Sequence, residues 1–176
     1  ENGIEENKDK KNTWIIDPID GTLNFMHGIP HFAISIALKS NDEIISGLIF
    51  DPIKDEMFYA EKDNGAFLNN HRARVSKKNK INDCIFATSG KINKELDLHY
   101  RKSGSAALDM AYVAVGRYDG YFQRELNLWD IAAGIIIINE AGGLINKIDL
   151  SQTKNLDVIT STPDIHQKML KKIDNF

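Results

Sequence analysis

The chain has 176 residues, a net charge of −3 and 42% hydrophobic residues, which is typical of a water-soluble globular protein without the positive charge that attracts nucleic acid. Its length suits one domain, which we place over residues 1–176, and the longest apolar run (131–138) is far short of the roughly 20 residues of a membrane span. The one cysteine, Cys84, cannot form an internal disulfide, and this fits the reducing cytoplasm.

The first segment with chemical character covers residues 14–25 and reads WIIDPIDGTLNF. Its apolar start predicts a buried strand, and Pro18, which has no backbone N–H, predicts that the strand ends there. Gly21 favours a tight turn after the strand. Thr22 is the candidate N-cap of a helical turn that begins near Leu23.

Two carboxylates in this segment, Asp17 and Asp20, lie beside that predicted helix start. Hard oxygen donors next to backbone amides suit a divalent cation that bridges to a phosphate. The same residues are also compatible with an Asx-rich turn, whose carboxylates only cap backbone amides. The residue pattern by itself leaves both interpretations open.

The rest of the chain predicts alternating strands and helices. Apolar alternation predicts an antiparallel meander of strands at 31–38, 44–50, 57–60, 66–67 and 73–75. Further strands are predicted at 84–88, 118–122 and 158–160, and helices at 106–115, 129–141 and 164–173. This order favours a layered α/β (α+β) architecture.

Two long motifs give the chain a family resemblance. Residues 14–25 resemble the metal-binding signature of the inositol monophosphatase family almost letter for letter, and LWDIAAG (128–134) followed by NEAGG (139–143) resembles its second signature. Segments 28–37 and 103–109 are similar to the bacterial suppressor-type members in particular. The resemblance covers nearly the whole chain and implies an alternating αβαβα sandwich. Family members usually carry N-terminal helices that this sequence lacks, so we expect an incomplete N-terminus.

The resemblance also implies an activity, the Mg²⁺-dependent hydrolysis of inositol-1-phosphate or a similar small phosphomonoester. The implied metal ligands are Asp17, the carbonyl of Ile19, Asp20 and Asp130. Thr22 is implied to orient the attacking water, and the amides of Gly21 and Thr22 to bind the phosphate. Asp130 has an alternative role as the N-cap of a helix.

Substrate contacts are implied at two places. Gly104, Ser105 and Ala106 match the family segment that contacts polyol hydroxyls through backbone and hydroxyl groups, although helix capping is an alternative role. Gln123 stands where inositol phosphatases have a glutamate that binds a ring hydroxyl. Because an amide both donates and accepts, a polyol substrate is still compatible with Gln123. Glu125 is a second candidate for this contact.

Other implications concern the start of the chain and its partners. In the family, a pair of adjacent glutamates precedes the first strand, and the first glutamate of the pair is a metal ligand. Glu1 resembles the second glutamate, so we expect the ligand itself to lie before residue 1. The family further implies a cytoplasmic, lithium-sensitive homodimer, and its suppressor-type members imply an RNA polymerase antitermination complex as a partner. The alternatives are a nucleotide 3′-phosphatase or sugar bisphosphatase of the same fold, or a binding factor of weak or no activity.

Overall fold

The structure is a computed structural model that describes residues 4–5 (backbone only), 11–90 and 97–173, so Glu1 and its predicted ligand neighbour lie outside the described residues. The larger sheet is formed by seven antiparallel strands in chain order. They are β1 (Ile4–Glu5), β2 (Asn12–Asp20), β3 (Ala33–Ser40), β4 (Glu43–Asp51), β5 (Glu56–Glu61), β6 (Gly65–Leu68) and β7 (His71–Arg72). The predicted meander is confirmed, except that its last strand lies at His71–Arg72 instead of 73–75.

The smaller sheet has five strands, β8 (Ile85–Ala87), β9 (His99–Arg101), β10 (Gly120–Leu126), β11 (Leu144–Ile145) and β12 (Leu156–Ser161). Their spatial order is β11-β12-β10-β8-β9, and β8 pairs in parallel with both β9 and β10. The helices are α1 (Thr22–Met26), α2 (Ala106–Ala114), α3 (Leu128–Glu140) and α4 (His166–Ile173). None of the helices formed by the described residues is long and apolar enough to cross a membrane.

Helices α2 and α3 lie between the two sheets in one hydrophobic core. At Gly47 in β4, a Cβ would come within 2.8 Å of the Ala133 carbonyl, so the absence of a side chain lets α3 approach the larger sheet closely. At Gly134 in α3, a Cβ would meet the side chain of Met110 in α2 at 2.7 Å. Gly47 and Gly134 therefore allow α3 to pack closely against both the larger sheet and α2.

Helix α4 covers the outer face of the smaller sheet, where Met169 packs in a second apolar cluster with Phe86 and Phe122. The described layers therefore follow the order sheet, helices, sheet, helix, which is the order of four of the five layers in the predicted αβαβα sandwich. On the outer face of the larger sheet, Trp14 is 53% exposed and Ile16 is 39% exposed. That face is apolar and partly open.

The expected strand end at Pro18 is wrong, because β2 continues to Asp20. The pairing of β2 with β3 shifts register between Asp17 and Asp20, since their partners Ser35 and Ala33 are only two residues apart. One extra residue on β2 makes this a β-bulge, which removes residues from the regular ladder and accommodates a proline without an N–H.

Candidate active site

The bulge in β2 is what places Asp17 and Asp20 together. Residues three apart in a regular strand point to opposite faces, because side chains alternate. The extra residue of the bulge reverses this, and both carboxylates lie opposite residues of β3 that share one buried face, Ser35 and Ala33. The sequence spacing of three thus becomes a pair of carboxylates on one face.

The third carboxylate comes from the first turn of α3. Asp130 accepts a hydrogen bond at Oδ2 from the backbone N–H of Asn127 at 2.8 Å, so it helps to cap the helix from inside its first turn. The N-cap itself is Asn127, so the alternative N-cap role of Asp130 is wrong in position. Oxygen atoms of Asp17, Asp20 and Asp130 lie within 4.8 Å of one another. No other group of three such side chains is found in the part of the chain that the structure describes.

These carboxylates open into a cleft of about 340 Å³ lined by residues 16–22 together with Asn127, Trp129 and Asp130. Ionising all three carboxyl groups at this separation is unfavourable without a cation, because like charges repel. Carboxylate oxygens are also the ligands that Mg²⁺ prefers in proteins. The donor set therefore fits a divalent cation of the hard type.

The electrostatics of Asp20 reflect this crowding. Asp20 is only 6% exposed, and burial raises its pKa to about 7, while the Ser105 hydroxyl lowers it and the charges of Asp17 and Asp130 raise it. Without a cation this carboxyl holds a proton close to neutral pH. A bound cation favours the ionised form, because an opposite charge nearby lowers a carboxyl pKa.

The turn after β2 is tightly organised. Asp17 accepts a hydrogen bond at Oδ1 from the N–H of Ile19 at 3.0 Å, which makes the predicted Asx-type turn. Thr22 donates its hydroxyl to the carbonyl of Ile19 at 2.9 Å. Gly21, with φ of 84°, is the N-cap of α1, so the expectation that Thr22 is the cap is wrong. Thr22 is instead the first helical residue, and both it and Ile19 line the cleft.

The predicted substrate segment contacts the cluster through Ser105. Its buried hydroxyl donates to Oδ2 of Asp20, and the N–H of Ala107 donates to the same oxygen at 3.0 Å. The hydroxyl predicted to contact a polyol is thus used by Asp20. Gly104 lies beside the motif, because a Cβ on Gly21 would come within 3.3 Å of its carbonyl oxygen, and Ala106 is buried as the first residue of α2.

Gln123 is held by two donors. Its Oε1 accepts from the N–H of Ser89 at 3.1 Å and from the hydroxyl of Tyr121 at 2.9 Å. A backbone N–H only donates, so this contact identifies the amide oxygen and leaves the NH₂ group for other partners. Glu125 is exposed at a register shift of β10, where φ is 59°. Neither Gln123 nor the 104–106 segment lines the carboxylate cleft itself.

Asn24 is a residue of the site that the sequence alone does not reveal. Asn24 donates its side-chain amide to the carbonyls of His31 and Ser103, at 2.8 and 2.9 Å, and so joins the turn after β2 to the segment before α2. In the sequence, the only indication of this role is that Asn24 lies within the first motif. The pairing partner at Ser103 lies far along the chain and cannot be found from periodicity.

Known proteins include relatives of this chain. An inositol-1-monophosphatase of Caulobacter vibrioides is 40% identical to this chain and matches 98% of it and 75% of its own length. The Nus factor SuhB of Haemophilus influenzae is also 40% identical, over 98% of this chain and 71% of its own.

The solved structure of the extragenic suppressor protein suhB from Bartonella henselae has a TM-score of 0.88 and 41% identity to the chain. The match covers 96% of this chain and 75% of that one. This likeness confirms the predicted α/β fold. Residues 1–175 match the inositol monophosphatase family as a whole, and the chain therefore belongs to the inositol monophosphatase family.

Proposed function

We propose that this protein hydrolyses inositol-1-phosphate or a similar small phosphomonoester in a Mg²⁺-dependent reaction. The observation that carries the proposal is the cluster of Asp17, Asp20 and Asp130, in a family whose enzymes are metal-dependent phosphatases. When bound, Mg²⁺ would stabilise the negative charge on the phosphate and would lower the pKa of a water molecule that attacks phosphorus. The cluster's spacing and hard oxygen donors support this use.

The residues of the chain have separate parts in this proposal. Asp17, Asp20 and Asp130 hold the cation, and the carbonyl of Ile19 is a fourth candidate ligand. The Thr22 hydroxyl, which donates to that carbonyl and lines the cleft, is the proposed group that orients the attacking water molecule. The amides of Gly21 and Thr22 are the proposed donors to the phosphate oxygens.

Phosphate release from inositol-1-phosphate, with and without Mg²⁺, tests the proposal directly. We expect release only with Mg²⁺, and Asp20→Asn should lower the rate by several orders of magnitude, because it removes a charge that binds the cation. Asp164→Asn, which changes an exposed carboxylate outside the cluster, is the matched control and should keep the parent's rate. Equal release with and without Mg²⁺, or a fully active Asp20→Asn variant, contradicts the proposed mechanism.

The geometry of Gln123 favours a second candidate, a sugar bisphosphatase or nucleotide 3′-phosphatase of the same fold. Because the amide oxygen accepts from Ser89 and Tyr121, we infer that Gln123 meets a substrate with its NH₂ donors and not with an acceptor. Such donors pair with the oxygen of a second phosphate better than with a hydroxyl that must donate. A carboxylate at this position would accept a hydrogen bond from a substrate hydroxyl and would repel a second phosphate.

Gln123→Glu tests this candidate, since it exchanges the NH₂ group for an acceptor oxygen of nearly the same size. We expect the variant to gain activity on inositol-1-phosphate and to lose activity on fructose 1,6-bisphosphate, each by about tenfold in kcat/KM, the value of one hydrogen bond to a charged group. The ratio of the two kcat/KM values is the measurement. An unchanged ratio excludes Gln123 as a determinant of substrate choice.

A further inference from the structure

Ser105 and Asp20 form the most enclosed polar contact of the site. Ser105 is fully buried, and Asp20 is nearly so. Among the described residues, Asp20 accepts two hydrogen bonds, from the Ser105 hydroxyl and the Ala107 N–H, and both end on Oδ2. Oδ1 is therefore the oxygen that is left to contact a cation.

The direction of the Ser105 hydroxyl is itself fixed. Its oxygen accepts the N–H of Leu108 at 3.3 Å in the first turn of α2, so the hydroxyl proton is left to point at Asp20. The backbone N–H of Ala107 cannot rotate away, because it belongs to the same helical turn. All nine residues of α2 are buried, which makes the helix a rigid support.

Asp20 needs such a support, because it ends a bulged strand. Its neighbour across the sheet, Ala33, lies beyond the register shift, so the ladder of β2 holds its backbone less regularly than that of the preceding residues. The start of α2 also carries the positive end of a helix dipole, which favours a carboxylate there. The orientation of Asp20 is thus set from α2 as well as from its own strand.

We propose that Ser105 is a positioning residue for the cation site. Its hydroxyl selects the orientation of Asp20 in which Oδ1 faces Asp17 and Asp130, and thereby sets the affinity for the cation. The role differs from the polyol contact that the sequence resemblance implies for Ser105. The inference rests on the proposed metal site, and it concerns affinity for the cation before any substrate binds.

Calorimetric titration of the purified protein with MgCl₂, without substrate, tests the inference. Ser105→Ala should weaken Mg²⁺ binding by roughly 10- to 100-fold, as the loss of a partner that orients a metal ligand typically does. Ser105→Thr keeps the hydroxyl and should bind Mg²⁺ nearly as the parent does. In turnover, Ser105→Ala should need more Mg²⁺ for half-maximal rate while most of its kcat returns at saturating Mg²⁺.

Ser161→Ala is the matched control, because Ser161 is also fully buried and hydrogen-bonded but contacts Thr162 and His166 instead of the cluster. It should keep the parent's affinity for Mg²⁺. The capping role of Ser105 predicts a lower melting temperature with and without Mg²⁺ alike, so thermal melts separate capping from positioning.

The outcomes are distinct. A parent that binds Mg²⁺ together with a Ser105→Ala variant of equal affinity overturns the inference and leaves the proposed function standing. A parent that binds no Mg²⁺ overturns the metal site, and the inference with it. If Ser105→Ala does not fold, Ser105→Cys, which keeps the size but donates weakly, is compared with Ser105→Thr, and equal affinity of these two overturns the inference.

Discussion

Asp109 is the buried carboxyl of α2 that the proposed reaction does not use. It is fully buried, and neither of its oxygens has a hydrogen-bond partner among the described residues. The pKa of Asp109 is raised from its ordinary value of 3.8 to about 8, chiefly by burial; the Ser103 hydroxyl acts in the opposite direction, and the nearby charge of Asp20 contributes to the rise. The folded protein therefore holds a proton on Asp109 at neutral pH.

This proton makes stability depend on pH. Since the pKa is higher in the folded state than in the unfolded chain, the free energy of unfolding is greatest below about pH 4 for this group and falls as the pH rises toward 8, by roughly 1.4 kcal/mol per pH unit. Asp109→Asn, which has nearly the same shape and no charge, should remove this loss and be more stable than the parent at pH 8.

Urea unfolding at pH 5, 6.5 and 8 measures the effect, with Mg²⁺ absent from all samples. Asp164→Asn is the control, because its carboxylate is exposed, and it should lose stability with rising pH as the parent does. If Asp109→Asn follows the parent's pH dependence, the proton on Asp109 is not its cause.

At the same scale, the sequence predicted the identities of Asp17, Asp20 and Asp130 but not their supports. Carboxylates within a long motif are visible in the letters, whereas the partners that orient them are small polar residues and backbone amides. The contact of Ser105 with Asp20 joins residues far apart in the chain, and the hydrogen bond from Ala107 is made by a backbone group, which no residue pattern reports.

At the scale of elements, local pairing was predictable and long-range pairing was not. The meander was found because each of its strands pairs with the next along the chain, and alternation of apolar residues marks each one. Strand β9 was missed because it has three residues and pairs in parallel with β8, from which it is separated by a segment without periodicity. Pro18 was misjudged for another reason, since a bulge relieves the rule that proline ends a strand.

The misjudged element is also the one that creates the site. A strand that stopped at Pro18 would leave Asp20 in a loop, whereas the bulged β2 carries both carboxylates to the buried face. Gly47 completes the arrangement, because it lets α3 lie close enough to the larger sheet for Asp130 to reach the cluster. Two irregular features, the bulge in β2 and the absence of a side chain at Gly47, therefore bring the three carboxylates together.

At the scale of the whole molecule, the family resemblance implies the order of the layers, but it does not reveal the contacts where the layers meet. Asp17 and Asp20 belong to the larger sheet, and Asp130 belongs to a helix between the sheets. A cation held by all three therefore ties a sheet to the helical layer, and its binding should stabilise the folded state as a unit. The second link at this junction, from Asp20 to α2, acts in the same direction.

Thermal unfolding with Mg²⁺ or with EDTA measures this coupling. A ligand that binds only the folded state at 100 times its dissociation constant adds about 2.7 kcal/mol to the free energy of unfolding, so Mg²⁺ should raise the parent's melting temperature by several degrees. Asp130→Asn should lose most of this rise, because it removes a ligand charge from the helical side of the junction. The same variant should be at least as stable as the parent in EDTA, since it removes one of several like charges, and its amide oxygen can still accept the N–H of Asn127. If Mg²⁺ still raises the melting temperature of Asp130→Asn as much as that of the parent, the cation stabilises the protein at a site other than the carboxylate cluster.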